Sequence, residues 1–285
     1  MNYQNQAMTD ITTESGIKSI KSRISQCRGI LIAFSGGVDS GLLAELARES
    51  VSNNVHTVFI DTPLVPRSAV HEAQNMACSL GLSFEIIKVP FPDDTVCRNL
   101  PDRCYHCKKS WSRILKKRAG ELGLSCVADG ANLSDESGHR PGIRAATEEG
   151  IIHPFIEAGI SKADIRQIAR GRGLTFWDKP SESCLASRIP YGENITEEKL
   201  RMIETAENIL YMEGFSGTRV RYHCGGARIE VPGADIPRLI SKRERIVPMV
   251  KRAGFCYVAL DLEGYRSGSM DEVLSLPGSA EKGAI

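Results

Sequence analysis

The chain has 285 residues, 41% hydrophobic and 25% charged, with 36 basic and 35 acidic side chains and a formal charge of +1. That composition excludes a disordered chain, a fibrous repeat and a small disulfide-stapled scaffold. The balanced charge gives no bulk field for nonspecific nucleic-acid or membrane binding. Nine cysteines are the one oddity; they are too sparse for a secreted disulfide framework, and an odd number cannot all pair.

In chain order, the pattern at 17–28 predicts a short basic helix. It leads into an apolar run of strand length at 29–34, cut short by Ser35-Gly36-Gly37. A helix follows at once, with Leu42, Leu43, Leu46 and Ala47 at helical spacing. The cycle then repeats as a strand at 55–60, a helix at 68–80, a strand at 83–89 and a helix at 108–122. Short strands are expected at 126–128 and 151–153, and a helix at 162–173 opened by a capping box between Ser161 and Asp164. Alternation of this kind implies an α/β domain, a parallel sheet with helices on both faces, which we place over residues 1–190. A smaller α+β domain is expected over 191–285. It holds a helix at 196–212 capped by Thr196, a hairpin of 219–224 and 227–231 across Gly225-Gly226, helical stretches within 233–252 and a strand at 256–260. The last dozen or so residues are expected to fray. The N-terminal stretch lacks the cationic start and apolar core of a signal peptide. No window holds the roughly 18 apolar residues of a membrane span. A reducing, cytoplasmic location follows, with thiols kept reduced or bound to something.

Ser35-Gly36-Gly37-Val38-Asp39-Ser40 lies where the first strand meets the next helix, the crevice where open parallel sheets bind ligands. Adjacent glycines allow close backbone approach, free amides at the helix start suit an anion, and Ser35 and Ser40 add hydroxyl donors. Asp39 would repel a phosphate unless a cation lay between, which implies Mg²⁺. The string is neither GxxxxGK[ST] nor GxGxxG. It resembles the PP-loop of the N-type ATP pyrophosphatases, a Rossmann-like family that cleaves ATP between its α- and β-phosphates and transfers AMP to a substrate oxygen. Asp61, ending the second strand, stands where that family places the nucleoside. Asp129-Gly130-Ala131-Asn132 with Asp135 resembles its DGxNxxD segment.

Cys104-Tyr105-His106-Cys107 is a CxxC among Arg103, Lys108 and Lys109, cations that would favour thiolates. Taken alone it fits a zinc half-site, a redox pair or an iron–sulfur ligand pair, with Cys97 or His106 as conceivable fourth zinc ligands. Cys184 sits in a segment without apolar periodicity, between Lys179 and Arg188. The strings NLPDRCYHCKK, SESCLASRIPYG, TRVRYHCGGARIEV and GYRSGSM resemble the LarE family of ATP-dependent sulfur transferases over residues 17–271. That resemblance implies adenylation of a carboxylate of pyridinium-3,5-biscarboxylic acid mononucleotide, then attack by sulfur to give a thiocarboxylate. The product leads to the nickel-pincer nucleotide of lactate racemase. It also implies a sulfur source: a [4Fe–4S] cluster on Cys104, Cys107 and Cys184 delivering an added sulfide, or Cys184 surrendering its own sulfur. Asp39 and Cys184 are then catalytic, with Lys179 or Arg188 offsetting transition-state charge. Arg219, Arg221 and Arg266 would bind substrate phosphate, and Glu207 and Glu230 a divalent ion. A homohexamer is implied too. Cys27, Cys78, Cys126, Cys224 and Cys256 read as small core or surface residues. The nearest rival, a PP-loop tRNA thiolase, would want a basic RNA-binding face, which the charge does not supply. An ammonia-using amide synthetase and a non-catalytic adenine-nucleotide sensor are the more distant alternatives.

Overall fold

The computed structural model describes residues 3–51, 54–136, 141–266 and 268–270; the terminal dozen, expected to fray, lie outside them. The elements run α1 (Tyr3–Ser25), β1 (Ile30–Ala33), α2 (Val38–Val51), β2 (Val55–Asp61), α3 (Arg67–Ser79), β3 (Phe84–Lys88), α4 (Asp94–Cys97), α5 (Arg103–Glu121) and β4 (Cys126–Asp129). Then come α6 (Pro141–Glu148), α7 (Pro154–Glu157), α8 (Lys162–Gly171), α9 (Glu197–Met212), β5 (Arg219–His223), β6 (Gly226–Glu230), α10 (Ile236–Ser241), α11 (Arg243–Arg252) and β7 (Val258–Leu260).

Two compact units share these elements. The first comprises residues 1–62, 67–90 and 104–182, and the second 63–66, 91–103 and 183–285. The cut expected near residue 190 is therefore one crossing of several. Asn99, fully buried with φ of 55°, shows why 91–103 belongs with the later chain: its side-chain amide donates to the carbonyls of Ile189 and Pro190.

In the first unit a parallel sheet has the order β3-β2-β1-β4. Alternate residues of β1 face opposite sides. Ile30 and Ile32 pack with α1, α2 and α8 through Ile24, Leu42, Leu46 and Ile165, and Leu31 packs with Leu115 and Ala119 of α5. Helices thus cover both faces, the α/β architecture expected. The register pairs Ala33 with both Val58 and Asp129, so β1 and β4 end level and their following loops emerge side by side. The strand expected at 151–153 reduces to a single parallel bridge, Ile152 to Ala128. Helix α5 begins at Arg103 rather than 108; its polar first turn carries no apolar stripe, so periodicity misses it.

One expectation is overturned. Cys27 and Cys126, read as separate reduced residues, form a disulfide with a Cα–Cα distance of 5.9 Å. The parallel pairing of β1 with β4 sets Cys126 beside Ile30, which brings two residues 99 apart in sequence together.

In the second unit a sheet of order β5-β6-β7 has β5 and β6 antiparallel and β6 and β7 parallel. Thr196 caps α9, accepting from the Lys199 amide at 3.2 Å. The hairpin turns through Cys224 and Gly225, φ 46° and 81°, one residue earlier than expected. Gly226 belongs to the strand because the Tyr257 ring covers it; a Cβ there would lie 2.2 Å from the ring.

Candidate functional site

The segment 34–37 closes on itself at the end of β1. The Ser40 hydroxyl lies 3.1 Å from that of Ser35 and donates to the Gly37 carbonyl at 3.2 Å, while the Gly37 amide donates to Ser35 Oγ at 3.3 Å. Gly36 has φ of 70°, and a Cβ on it would meet the backbone of Ala73 at 2.8 Å. Glycine is required there on both counts. The first turn of α2, carrying Asp39 and Ser40, thus starts from a tight turn with its early amides outside the helix's own bonding.

Three further segments converge on this turn. Gly130, directly after β4, packs so closely that a Cβ would lie 2.9 Å from the Ser40 amide nitrogen. Lys179 donates to the Gly36 carbonyl at 2.8 Å and pairs with Glu72 at 2.5 Å. Lys162, the first residue of α8, grips both carboxylate oxygens of Asp39 at 2.7 and 2.5 Å. Burial pushes the Asp39 carboxyl above its ordinary value, and Lys162 pulls it down without outweighing that; Asp135 adds a repulsive charge. Asp135 in turn closes a capping box with Asn132. Sequence reasoning missed Lys162, since only its place after the Ser161 cap marks it and 123 residues separate it from Asp39. Asp61, expected at the nucleoside, pairs with Arg67 at 2.6 Å.

Asp39, gripped by an ammonium group, is disposed toward a cation, and Mg²⁺ commonly takes one or two carboxylates plus substrate phosphates. In that sense the loop fits Mg²⁺. The fit is poorer for a cluster. Cys104 and Cys107 occupy one face of the first turn of α5; they belong to the first unit, and Cys184 belongs to the second. Among the described residues no group of three or more His, Cys, Asp or Glu is arranged to hold a metal ion. The cations expected to favour thiolates are engaged elsewhere: Lys108 with Asp129 at 2.8 Å, Lys109 with Glu148 at 3.3 Å, and Arg103 with Asn99 and the Ala186 carbonyl.

In the second unit Cys184 precedes a 3-10 turn, Leu185–Arg188. Its carbonyl accepts from the Ser187 amide at 3.0 Å, Ser187 Oγ at 2.8 Å and Arg188 Nη1 at 2.9 Å. Arg188, 2% exposed, also pairs with Glu207 at 3.0 Å and donates to the Ser183 carbonyl at 2.7 Å. Its guanidinium clamps the cysteine loop. Glu207 and Glu230, expected at a divalent ion, are likewise bonded: Glu207 also accepts from the Val220 amide, and Glu230, fully buried, accepts from Arg221 at 2.9–3.0 Å and Arg228 at 3.2 Å. Arg266 pairs with Glu263 at 2.7 Å. Arg219 differs. It donates to the Thr218 carbonyl and stacks on Tyr265, with no carboxylate in salt-bridge range among the described residues. Burial first, then the charge of Arg188, lowers its pKa. A half-buried cation in that state is ready for an anion.

A family model for NAD synthase matches residues 13–107. An uncharacterized protein of a Synechocystis species is 37% identical over 265 residues, 92% of this chain and 99% of that protein. The pyridinium-3,5-bisthiocarboxylic acid mononucleotide synthase of Lactiplantibacillus plantarum is 33% identical over 259 residues, 90% of this chain and 94% of that one. An uncharacterized protein of Methanocaldococcus jannaschii is 36% identical over 240 residues, 84% of this chain and 91% of that protein.

Proposed function

The chain belongs to the LarE family of PP-loop enzymes, and on that premise we propose that it is an ATP-dependent sulfurtransferase acting on pyridinium-3,5-biscarboxylic acid mononucleotide. The observation that carries this reading is the convergence of Gly130, Lys179 and Lys162 on the folded Ser35–Ser40 turn. ATP phosphates lie along Ser35, Gly36, Gly37 and Ser40, and Asp39 is the residue that would hold Mg²⁺, which would offset phosphate charge. A substrate carboxylate oxygen bonds to the α-phosphorus as the bond to the bridging oxygen breaks, and pyrophosphate leaves with that electron pair. Lys179, anchored on Gly36, faces the charge that builds there. A sulfur nucleophile then bonds to the carbonyl carbon of the acyl-adenylate, and AMP departs.

For the sulfur, we propose an added sulfide delivered from a [4Fe–4S] cluster that Cys104, Cys107 and Cys184 would hold. Three thiolates on a [4Fe–4S] cluster would leave one iron without a protein ligand, the chemistry an added sulfide needs; Cys184 giving up its own sulfur is the alternative. Iron and acid-labile sulfide in anaerobically purified protein, with Cys184 intact after turnover, support the cluster. A mass decrease of one H₂S at Cys184 supports the alternative. The same reading includes a cytoplasmic homohexamer, checked by light scattering. Among the described residues no helix is long and apolar enough to cross a membrane.

The test is pyrophosphate release from ATP, which must depend on the carboxylate substrate and yield AMP. Release without that substrate, or none with it, overturns the reading. Gly130→Ala, whose methyl would press on the Ser40 amide, is expected to lower kcat/KM for ATP about tenfold or more. Arg219→Ala is expected to raise the KM for the mononucleotide about tenfold with little change in the KM for ATP; steady-state kinetics against each substrate separates the two.

A further inference from the structure

Asp129 ends β4 and is almost wholly buried, 5% exposed. Three donors meet its carboxylate. The Ala131 amide and His153 Nδ1 reach Oδ1 at 3.2 and 2.7 Å, and Lys108 Nζ reaches Oδ2 at 2.8 Å. Burial works against its ionisation, but Lys108 and then His153 outweigh burial and hold the carboxyl well below its ordinary range. An ionised carboxylate only accepts, so Nδ1 of His153 carries the proton. The other ring nitrogen lies 3.0 Å from Thr147 Oγ1 on α6. His153 is itself buried, 7% exposed. It occupies the cap position of α7, yet its ring makes no cap hydrogen bond there. The bridge of Ile152 to Ala128 and the Asp129 amide's bond to the Ile152 carbonyl fix its backbone beside β4.

The carboxylate so held governs the next turn of the chain. By accepting from Ala131 it sets the turn 129–131, and the middle residue of that turn, Gly130, buttresses the first turn of α2 at Asp39 and Ser40. Its other oxygen ties down Lys108, next to Cys107. We propose that His153 is a positioning residue for adenylation: its Nδ1–H fixes the Asp129 carboxylate, and through it the turn that backs the nucleotide loop. This rests on the nucleotide reading of that loop. His153 touches no reacting atom.

The chemistry of the amides supplies the test. In His153→Asn the amide nitrogen stands where Nδ1 stands and can still donate to Asp129; in His153→Gln it stands where Nε2 stands and reaches Thr147 instead. Expected is a loss of about tenfold or more in kcat/KM for ATP in His153→Gln, with His153→Asn within about threefold of the parent. Thermal midpoints that match between the two variants remove folding from the comparison. Equal losses in both, or none in either, overturn the proposal. With ¹⁵N-labelled histidine, the parent protein is also expected to show an exchange-protected, downfield Nδ1 proton that is missing from both variants. Absence of that signal from the parent overturns the proposal by itself. If the parent shows the signal but releases no pyrophosphate, the nucleotide reading has failed and the positioning role falls with it.

Discussion

Asp39→Asn is expected to cost about 100- to 1,000-fold in substrate-dependent pyrophosphate release, the scale on which single transition-state charges act. The change keeps the side chain's size and its place on the first turn of α2, so the fold of the Ser35–Ser40 turn, held by the Ser35 and Ser40 hydroxyls, should persist. What it removes is the one carboxylate of that turn. In the structure Lys162 satisfies this carboxylate through both oxygens, and burial strains its ionisation. On the proposed reading Asp39 would exchange Lys162 for a cation bound with ATP, and Lys162 would then be free to face phosphate. Two cations and a polyanion would share one acid, and the amide of asparagine could not balance them. Lys162→Met tests the other half of the exchange. It keeps the Asp39 carboxyl, half-buried and near Asp135, but removes its lysine partner, so a smaller loss is expected, partly recovered at higher Mg²⁺. Quenched-flow measurement of AMP and pyrophosphate distinguishes the two variants. A parent-like rate in Asp39→Asn would remove the loop from the chemistry.

How much of this could be read from sequence depended on range. The SGGVDS turn, the strands that flank it, the capping box at Ser161 and the N-cap at Thr196 are local, each fixed by neighbours within a few residues. They were legible. Lys162 on Asp39, His153 on Asp129 and Arg188 on the Cys184 carbonyl depend on where strands and turns place side chains in space, and no spacing encodes that for the first two. Charge was the least legible quantity. Arg219 and Arg221 alternate on one strand and look equivalent; the register even places Glu230 opposite Arg219, yet the Glu230 carboxylate bonds its diagonal neighbour Arg221, and Arg219 has no carboxylate in salt-bridge range among the described residues. Burial decides such cases, because a charge removed from water must find a partner within the fold.

The same dependence on register makes the Cys27–Cys126 bridge a large expected contributor to stability. Cross-linking residues 99 apart removes loop-closure entropy from the unfolded chain worth about 4–5 kcal/mol. Cys27→Ser should then lower the thermal midpoint by roughly 10–15 °C, measured without reductant. Cys126→Ser should do the same, and the double variant should be no worse than either, since both remove one bond. A dithiol reductant should reproduce the shift in the parent and do nothing to the variants. After denaturation without reductant the parent should titrate seven thiols rather than nine; nine would mean the bridge is not made in solution. In a reducing compartment the bond persists only if the fold lowers its potential below that of the thiol pool. Burial of Cys27, 4% exposed, slows attack on its sulfur, and the β1–β4 pairing keeps the two sulfurs together after any reduction. The bridge therefore sits in the same sheet whose other end presents the Ser35–Ser40 and 129–131 turns. Its loss should loosen both turns before the second unit melts, so ATP protection of Lys162 and Lys179 against amine-directed labelling should fall first.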